Sequence, residues 1–150
     1  MNRTLVYIIF IVAVVGIGVA SGFANLPGEW YQALQKPVFN PPNWIFGPVW
    51  TTLYLLIGIV GARTWLAGKS STLMKLWFVQ MILNFLWSPA FFGMENPVYG
   101  LVVILPLLAS IVAFIAMSWN RDRISALLFV PYVLWVGFAT LLNLSIVLLN

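Results

Sequence analysis

Tryptophan is the residue in this chain with the most chemistry to offer. There are eight of them, and an indole can stack on a flat ligand, donate one hydrogen bond, or act as a redox or photochemical partner. The usual catalytic side chains are missing. With no cysteine and no histidine, there is no thiolate nucleophile, no disulfide, no imidazole base and no common haem or zinc ligand. Acidic residues number three, and none lies inside a long apolar run. Glu29 and Glu95 sit in loops and Asp122 in a basic turn, so no intramembrane carboxylate is available for acid–base work or a proton relay. Tryptophan chemistry or ligand binding remains.

The elements that hold these residues follow from composition. The chain is 63% hydrophobic and 7% charged, whereas a soluble domain carries charge at about one residue in four. That composition describes an integral membrane protein. The net charge of +4 is spread between apolar runs and forms no patch fit for nucleic acid. Five runs are long enough to span a bilayer: 5–24, 44–66, 73–92, 98–119 and 124–149. They predict an all-α, five-helix bundle forming a single membrane domain over 1–150. The first run follows Arg3 but is too long for the apolar core of a cleaved signal, and reads as a span. Residues 25–43 carry Pro27, Gly28, Pro37, Pro41 and Pro42, which predicts an extended, stiff connection. Pro48 falls in the first turns of the second run, and Pro106 predicts a kink in the fourth. Gly18 and Gly22 form a GxxxG pair, a device for close helix approach within the bundle or across a dimer. Ala109 and Ala113 are further candidate contacts.

Orientation follows from lysine and arginine. Arg3, Arg63, Lys69, Lys75, Arg121 and Arg123 fall on one side, and Lys36 alone on the other. The N-terminus is therefore expected in the cytoplasm. The C-terminus and the first loop are expected outside, in the periplasm of a bacterial host.

Depth sorts the tryptophans. Trp44, Trp65, Trp77 and Trp119 lie near span ends, where the interfacial aromatic belt accounts for them, and Trp30 lies in the loop. Trp50, Trp87 and Trp135 lie deeper. Helical spacing puts Gln80, Asn84, Trp87 and Phe91 on one face, Trp135, Ala139 and Asn143 on another, and Trp50 with Tyr54 on a third. A lone amide in a span is more often interhelical glue than a ligand contact. Three faces converging under one aromatic loop point to an apolar pocket in the outer half, with that loop as its cap.

Three stretches carry a family resemblance: WYQALQKPVFNPPNWIFGPVW, QMILNFLWSPAFFG and LFVPYVLWVGFATLLN. In order, on five spans, they closely resemble the tryptophan-rich sensory protein/translocator protein family, also called the peripheral-type benzodiazepine receptor family. The resemblance covers essentially the whole chain and points to a bacterial member. It implies a five-helix bundle, commonly a homodimer, with a pocket closed by the first loop. Its implied ligands are porphyrins such as protoporphyrin IX and isoquinoline- or benzodiazepine-like molecules; no cofactor is required and no metal is expected. The implied role is a receptor or sensor in tetrapyrrole handling or regulation. Light-driven porphyrin degradation is a second possibility, through Trp50 and Trp135, and transport of tetrapyrroles or lipids a third. The motif match maps ligand-lining positions onto Trp50, Asn84, Trp135 and Ala139, and further onto Trp44, Phe46, Tyr54, Trp87, Phe91 and Asn143. One departure matters. Animal members close the last helix with a Leu–Tyr–Arg sterol pattern, whereas this chain ends LLNLSIVLLN, which argues against specific sterol binding.

Overall fold

The computed structural model describes residues 2–150. Its elements are α1 (Arg3–Ala24), α2 (Glu29–Ala33), α3 (Asn43–Ala67), α4 (Thr72–Ser88), a π-helical turn (Pro89–Gly93), α5 (Pro97–Ser118), α6 (Arg123–Leu128) and α7 (Val130–Leu149). Five helical stretches are long and apolar enough to cross a membrane: Arg3–Ala24, Asn43–Ala67, Thr72–Gly93, Pro97–Ser118 and Arg123–Leu149. Short polar residues start them. Asn2 accepts a hydrogen bond from the Thr4 amide, Ser71 from Met74, Asn96 from Val98 and Tyr99, and Asp122 from Ser125. Each cap satisfies a backbone donor that the first helical turn leaves free.

Three departures from the sequence-based boundaries have one cause or another in proline and burial. The first loop is not uniformly extended. Residues 29–33 form the short α2, which buries Tyr31 against Phe91 and Phe92. The third span widens into a π turn at Pro89–Gly93, where the Pro89 carbonyl accepts from the Met94 amide at 2.9 Å, five residues on, in place of the Gly93 amide of an α turn. The fifth span breaks between α6 and α7 at Phe129, two residues before Pro131. By contrast, α5 runs unbroken through Pro106.

The bundle packs α1 on α3, α4 on α5, and α5 on α7, with α6 against the end of α3. Ile57, Val60, Leu107, Ile111, Phe114, Phe129, Tyr132 and Val136 fill the core. Large apolar side chains also cover the outside, among them Val12, Phe23, Val102, Leu134 and Leu148, as expected of a surface solvated by lipid. Small residues set the closest approaches. A Cβ on Gly58 would lie 2.8 Å from the Ile11 Cα, so α1 and α3 meet backbone to backbone there. Gly18 faces the ring of Tyr54, while Gly22 faces open space; only the first member of the GxxxG pair serves a contact within the chain.

Trp77 corrects the belt assignment. It is 3% exposed, its ring lies over Gly61 and against Phe10, and its Nε1 donates to the Ile57 carbonyl at 3.0 Å. It pins α4 to α3 from inside.

At the end of the bundle away from the first loop, the helices are joined by charge. Arg63, near the end of α3, does not run free toward the head groups. Its Nη2 donates to Asp122 Oδ1 at 2.9 Å, and its Nε to Asp122 Oδ2 at 3.1 Å and to Ser125 Oγ at 3.3 Å. Burial alone would raise the Asp122 carboxyl. Hydrogen bonds from Arg63 and Ser125, with the Arg63 charge, outweigh burial and hold it below the usual carboxylate range. Such a group stabilises the fold fully above its ordinary value, and that contribution is lost as pH falls through the depressed folded value. Thermal stability in detergent is therefore expected to decline below about pH 4. Asp122→Asn is expected to lose about 1–2 kcal/mol at neutral pH and to flatten that acid decline. An unchanged acid profile in Asp122→Asn would show that the pair contributes nothing measurable.

Candidate functional site

The half of the bundle nearest the first loop is lined with rings. On α3, Trp50 and Tyr54 stack at 5.6 Å and 30°, and Phe46 meets Trp135 of α7 edge to face at 5.7 Å. Tyr54 leans on Phe85 of α4 at 6.1 Å, and Trp135 on Phe138 at 5.7 Å. A second cluster lies under α2. Trp87 stacks on Phe91 at 5.0 Å, and Phe91 receives Trp30 at 5.6 Å. Trp87 packs against both clusters. Phe46, Trp50, Tyr54, Trp87, Phe91, Trp135 and Ala139 thus belong to two adjoining aromatic groups. Trp44 does not join them: it is 74% exposed, on the outside of the bundle.

The amides are largely committed to each other. Asn84 Nδ2 donates to the Tyr132 hydroxyl at 2.6 Å, and that hydroxyl donates to Gln80 Oε1 at 2.8 Å. Gln80 Nε2 donates to the Trp77 carbonyl at 2.8 Å. Asn143 Oδ1 accepts from Trp87 Nε1 at 3.0 Å, and its Nδ2 donates to the Pro97 carbonyl at 2.7 Å. These contacts join α4, α5 and α7, as hydrogen bonds between spans do. Tyr132 is the residue that sequence reasoning missed. It lies three positions before Trp135, and a tyrosine deep in a span needs a partner for its hydroxyl.

One group is left over. Among the described residues, Trp135 Nε1 is a buried side-chain donor with no hydrogen-bond partner. A donor buried without a partner is destabilising by about 1–3 kcal/mol. The open space beside this ring is lateral. A cleft of about 500 Å³ between α3 and α7 is lined by Pro48, Val49, Thr52, Leu53, Pro131, Leu134 and Trp135. A second, of about 530 Å³, lies between α1 and α3.

The first loop covers one end of the bundle. Lys36 Nζ sits 4.5 Å from the centre of the Tyr31 ring, and burial pushes the Tyr31 phenol up, partly offset by the neighbouring Asn40 amide. The Gln35 amide donates to Asn150 Oδ1 at 3.1 Å, and Asn150 Nδ2 donates back to the Gln35 carbonyl at 2.9 Å. The loop and the end of α7 therefore share one face of the bundle. No group of three or more metal-ligating side chains occurs among the described residues.

Five apolar spans around an aromatic interior, tied by buried amides, define a small multi-pass helical membrane protein. Within that class the chain belongs to the TspO/MBR family, whose model matches residues 8–149. It is 45% identical over 144 residues to the tryptophan-rich protein TspO of Archaeoglobus fulgidus, covering 93% of this chain and 94% of that one. It is 40% identical over 154 residues to protein CrtK of Rhodobacter capsulatus, covering 100% and 95%. To the human translocator protein it is 37% identical over 135 residues, covering 85% and 79%.

Proposed function

We propose that this chain is a membrane receptor or sensor for flat, largely apolar ring systems of the porphyrin type, with protoporphyrin IX as the reference ligand. Isoquinoline- and benzodiazepine-like molecules share the same flat aromatic chemistry. The observation that carries the reading is Trp135: a broad aromatic face set against Phe46 and Phe138, with an unpartnered N–H; Trp50 and Tyr54 stack on each other on the same helix as Phe46. Offset stacking on Trp135 and Trp50 would hold the ring plane, and the free indole donor suits a ring nitrogen or carbonyl. Phe46, Tyr54, Trp87, Phe91 and Ala139 would serve as walls. Asn84 and Asn143 would shape the floor, since their amides already bind other side chains and backbone. Porphyrin carboxylates would stay at the outer edge, near Lys36 and Asn40. The proposed orientation puts the N-terminus in the cytoplasm and the loop outside, with the chain working as a homodimer.

The test is titration of the protein in lipid nanodiscs with protoporphyrin IX, following both tryptophan quenching and the porphyrin absorbance. Saturable binding is expected; quenching that rises linearly, as in empty nanodiscs, would overturn the reading. Transport is a second reading. It is favoured by a cleft that opens to the bilayer beside the site and by the name of the human relative. Porphyrin flux into proteoliposomes above that of empty liposomes would support it.

A further inference from the structure

We propose that ligand dissolved in the bilayer reaches the aromatic site sideways, between α3 and α7, and not through the outer mouth. This rests on the receptor reading above.

The mouth is stitched shut by several contacts at once. Asn150 holds both backbone groups of Gln35, and its Nδ2 also donates to the Ile146 carbonyl at 2.8 Å. Trp30 and Tyr31 pack on Phe91, Tyr31 on Phe92, and Phe39 on Phe138 at 6.3 Å. Opening this end breaks hydrogen bonds and exposes rings together. The side is different. Arg63, Asp122 and Ser125 tie α3 to α6 at the inner end, whereas further out the cleft between Pro48–Leu53 and Pro131–Trp135 separates α3 from α7.

The walls of that cleft suit an apolar passenger. Val49, Leu53 and Leu134 supply hydrocarbon. The Thr52 hydroxyl turns back to the Pro48 carbonyl at 2.8 Å, so its donor is directed into the helix itself. Pro48 lies inside α3 and removes one of its backbone hydrogen bonds, and Pro131 sits in the first turn of α7 just past the break at Phe129, so both helices are least tied at the level of the opening. Trp135 belongs both to this cleft and to the aromatic site. Its edge contact with Phe46 is the last barrier, and behind the cleft surface its indole N–H is buried without a partner.

The rival cleft between α1 and α3 leads nowhere. It is lined by Ile11, Val12, Val15, Gly16, Thr51, Thr52 and Leu55, none of them in the aromatic site. Behind it, Gly58 packs on the Ile11 backbone and the Tyr54 ring closes against Gly18.

The chain has no cysteine, so Leu134→Cys carries a single thiol. Leu134 is exposed on the bundle's flank, and the substitution should fold. A bulky aromatic methanethiosulfonate on that thiol is expected to slow both association and dissociation of protoporphyrin IX about tenfold in stopped-flow measurements in nanodiscs. Reducing the mixed disulfide should restore both rates. Gly16→Cys, whose side chain would meet open space, should carry the same label with wild-type rates. Unchanged rates in labelled Leu134→Cys would overturn the route. So would faster exchange in Asn150→Ala, which would assign access to the mouth. Labelling that accelerates dissociation alone would also overturn it, by making the cleft part of the bound site. Failure of the unlabelled wild type to bind saturably would remove the receptor reading itself, before any label is applied.

Discussion

Trp135→Ala is expected to weaken protoporphyrin IX binding by about tenfold to a hundredfold, corresponding to roughly 1–3 kcal/mol of lost stacking and hydrogen bonding. Trp135→Phe should fall between alanine and wild type. It keeps an aromatic face against Phe46 and Phe138 but removes the N–H that has no partner within the chain. That ordering separates the two contributions: the gap between wild type and phenylalanine reports the donor, and the gap between phenylalanine and alanine reports the face. The measurement is the shift in porphyrin absorbance, which does not depend on the tryptophan being mutated. Trp119→Phe, at an exposed position beside Arg123, is the reference substitution. Wild-type affinity in Trp135→Ala would remove the α3–α7 wall from the site. Phenylalanine binding as tightly as wild type would leave the free N–H without a role in recognition.

The largest effect on stability is expected at Gly58. The nearest atoms to a Cβ there are the Ile11 Cα at 2.8 Å and the Ile11 nitrogen and Phe10 carbonyl oxygen at 3.2 Å. All are backbone, so no side-chain rotation relieves the clash, and α1 must move away from α3. Gly58→Val should therefore destabilise the protein by about 3 kcal/mol, at the upper end of what overpacking produces. Gly22→Ala meets open space and should be neutral or slightly stabilising, since alanine favours the helix. Unfolding midpoints in the same detergent compare the two directly. Equal midpoints for Gly58→Val and wild type would mean that α1 is held only loosely.

The five spans were readable because hydrocarbon leaves little choice: each must be a long apolar helix. The reading of 44–66 lies within one residue of Asn43–Ala67 at each end, and 98–119 within one of Pro97–Ser118. Lateral partnership was not readable. Distance from a span end gives depth but not which neighbour a residue faces. Trp77 therefore passed for a belt residue, although Gly61 on the adjoining helix leaves the slot that its ring occupies. Arg63 and Asp122 are 59 positions apart, Trp87 and Asn143 56, and Asn84 and Tyr132 48. Nothing local signals such pairs. The same blindness hid the division of labour within one stripe. Trp135 and Asn143 share a helical face by spacing, yet Asn143 is bonded at both its oxygen and its nitrogen, to Trp87 and Pro97, while Trp135 has no partner for its donor. Short helices were also hidden. α2 is only five residues long, below the length that periodicity can declare.

The π turn at Pro89–Gly93 has a consequence for chain length. It holds one more residue per turn than an α-helix, as the Pro89–Met94 and Phe91–Asn96 bonds record. Deleting one residue there, Ala90 for instance, would let the α pattern continue, with the residues inside the turn stepping back one place until the extra width is used up. Phe91 would take the place of Ala90, about 100° around the axis, and leave its seat beneath Trp30 and beside Gly100. Point substitutions can be absorbed along this segment, whereas a change in its residue count cannot. In any set of related chains aligned to this one, a gap between 89 and 93 would mark a rebuilt end beneath the first loop, with that loop seated differently.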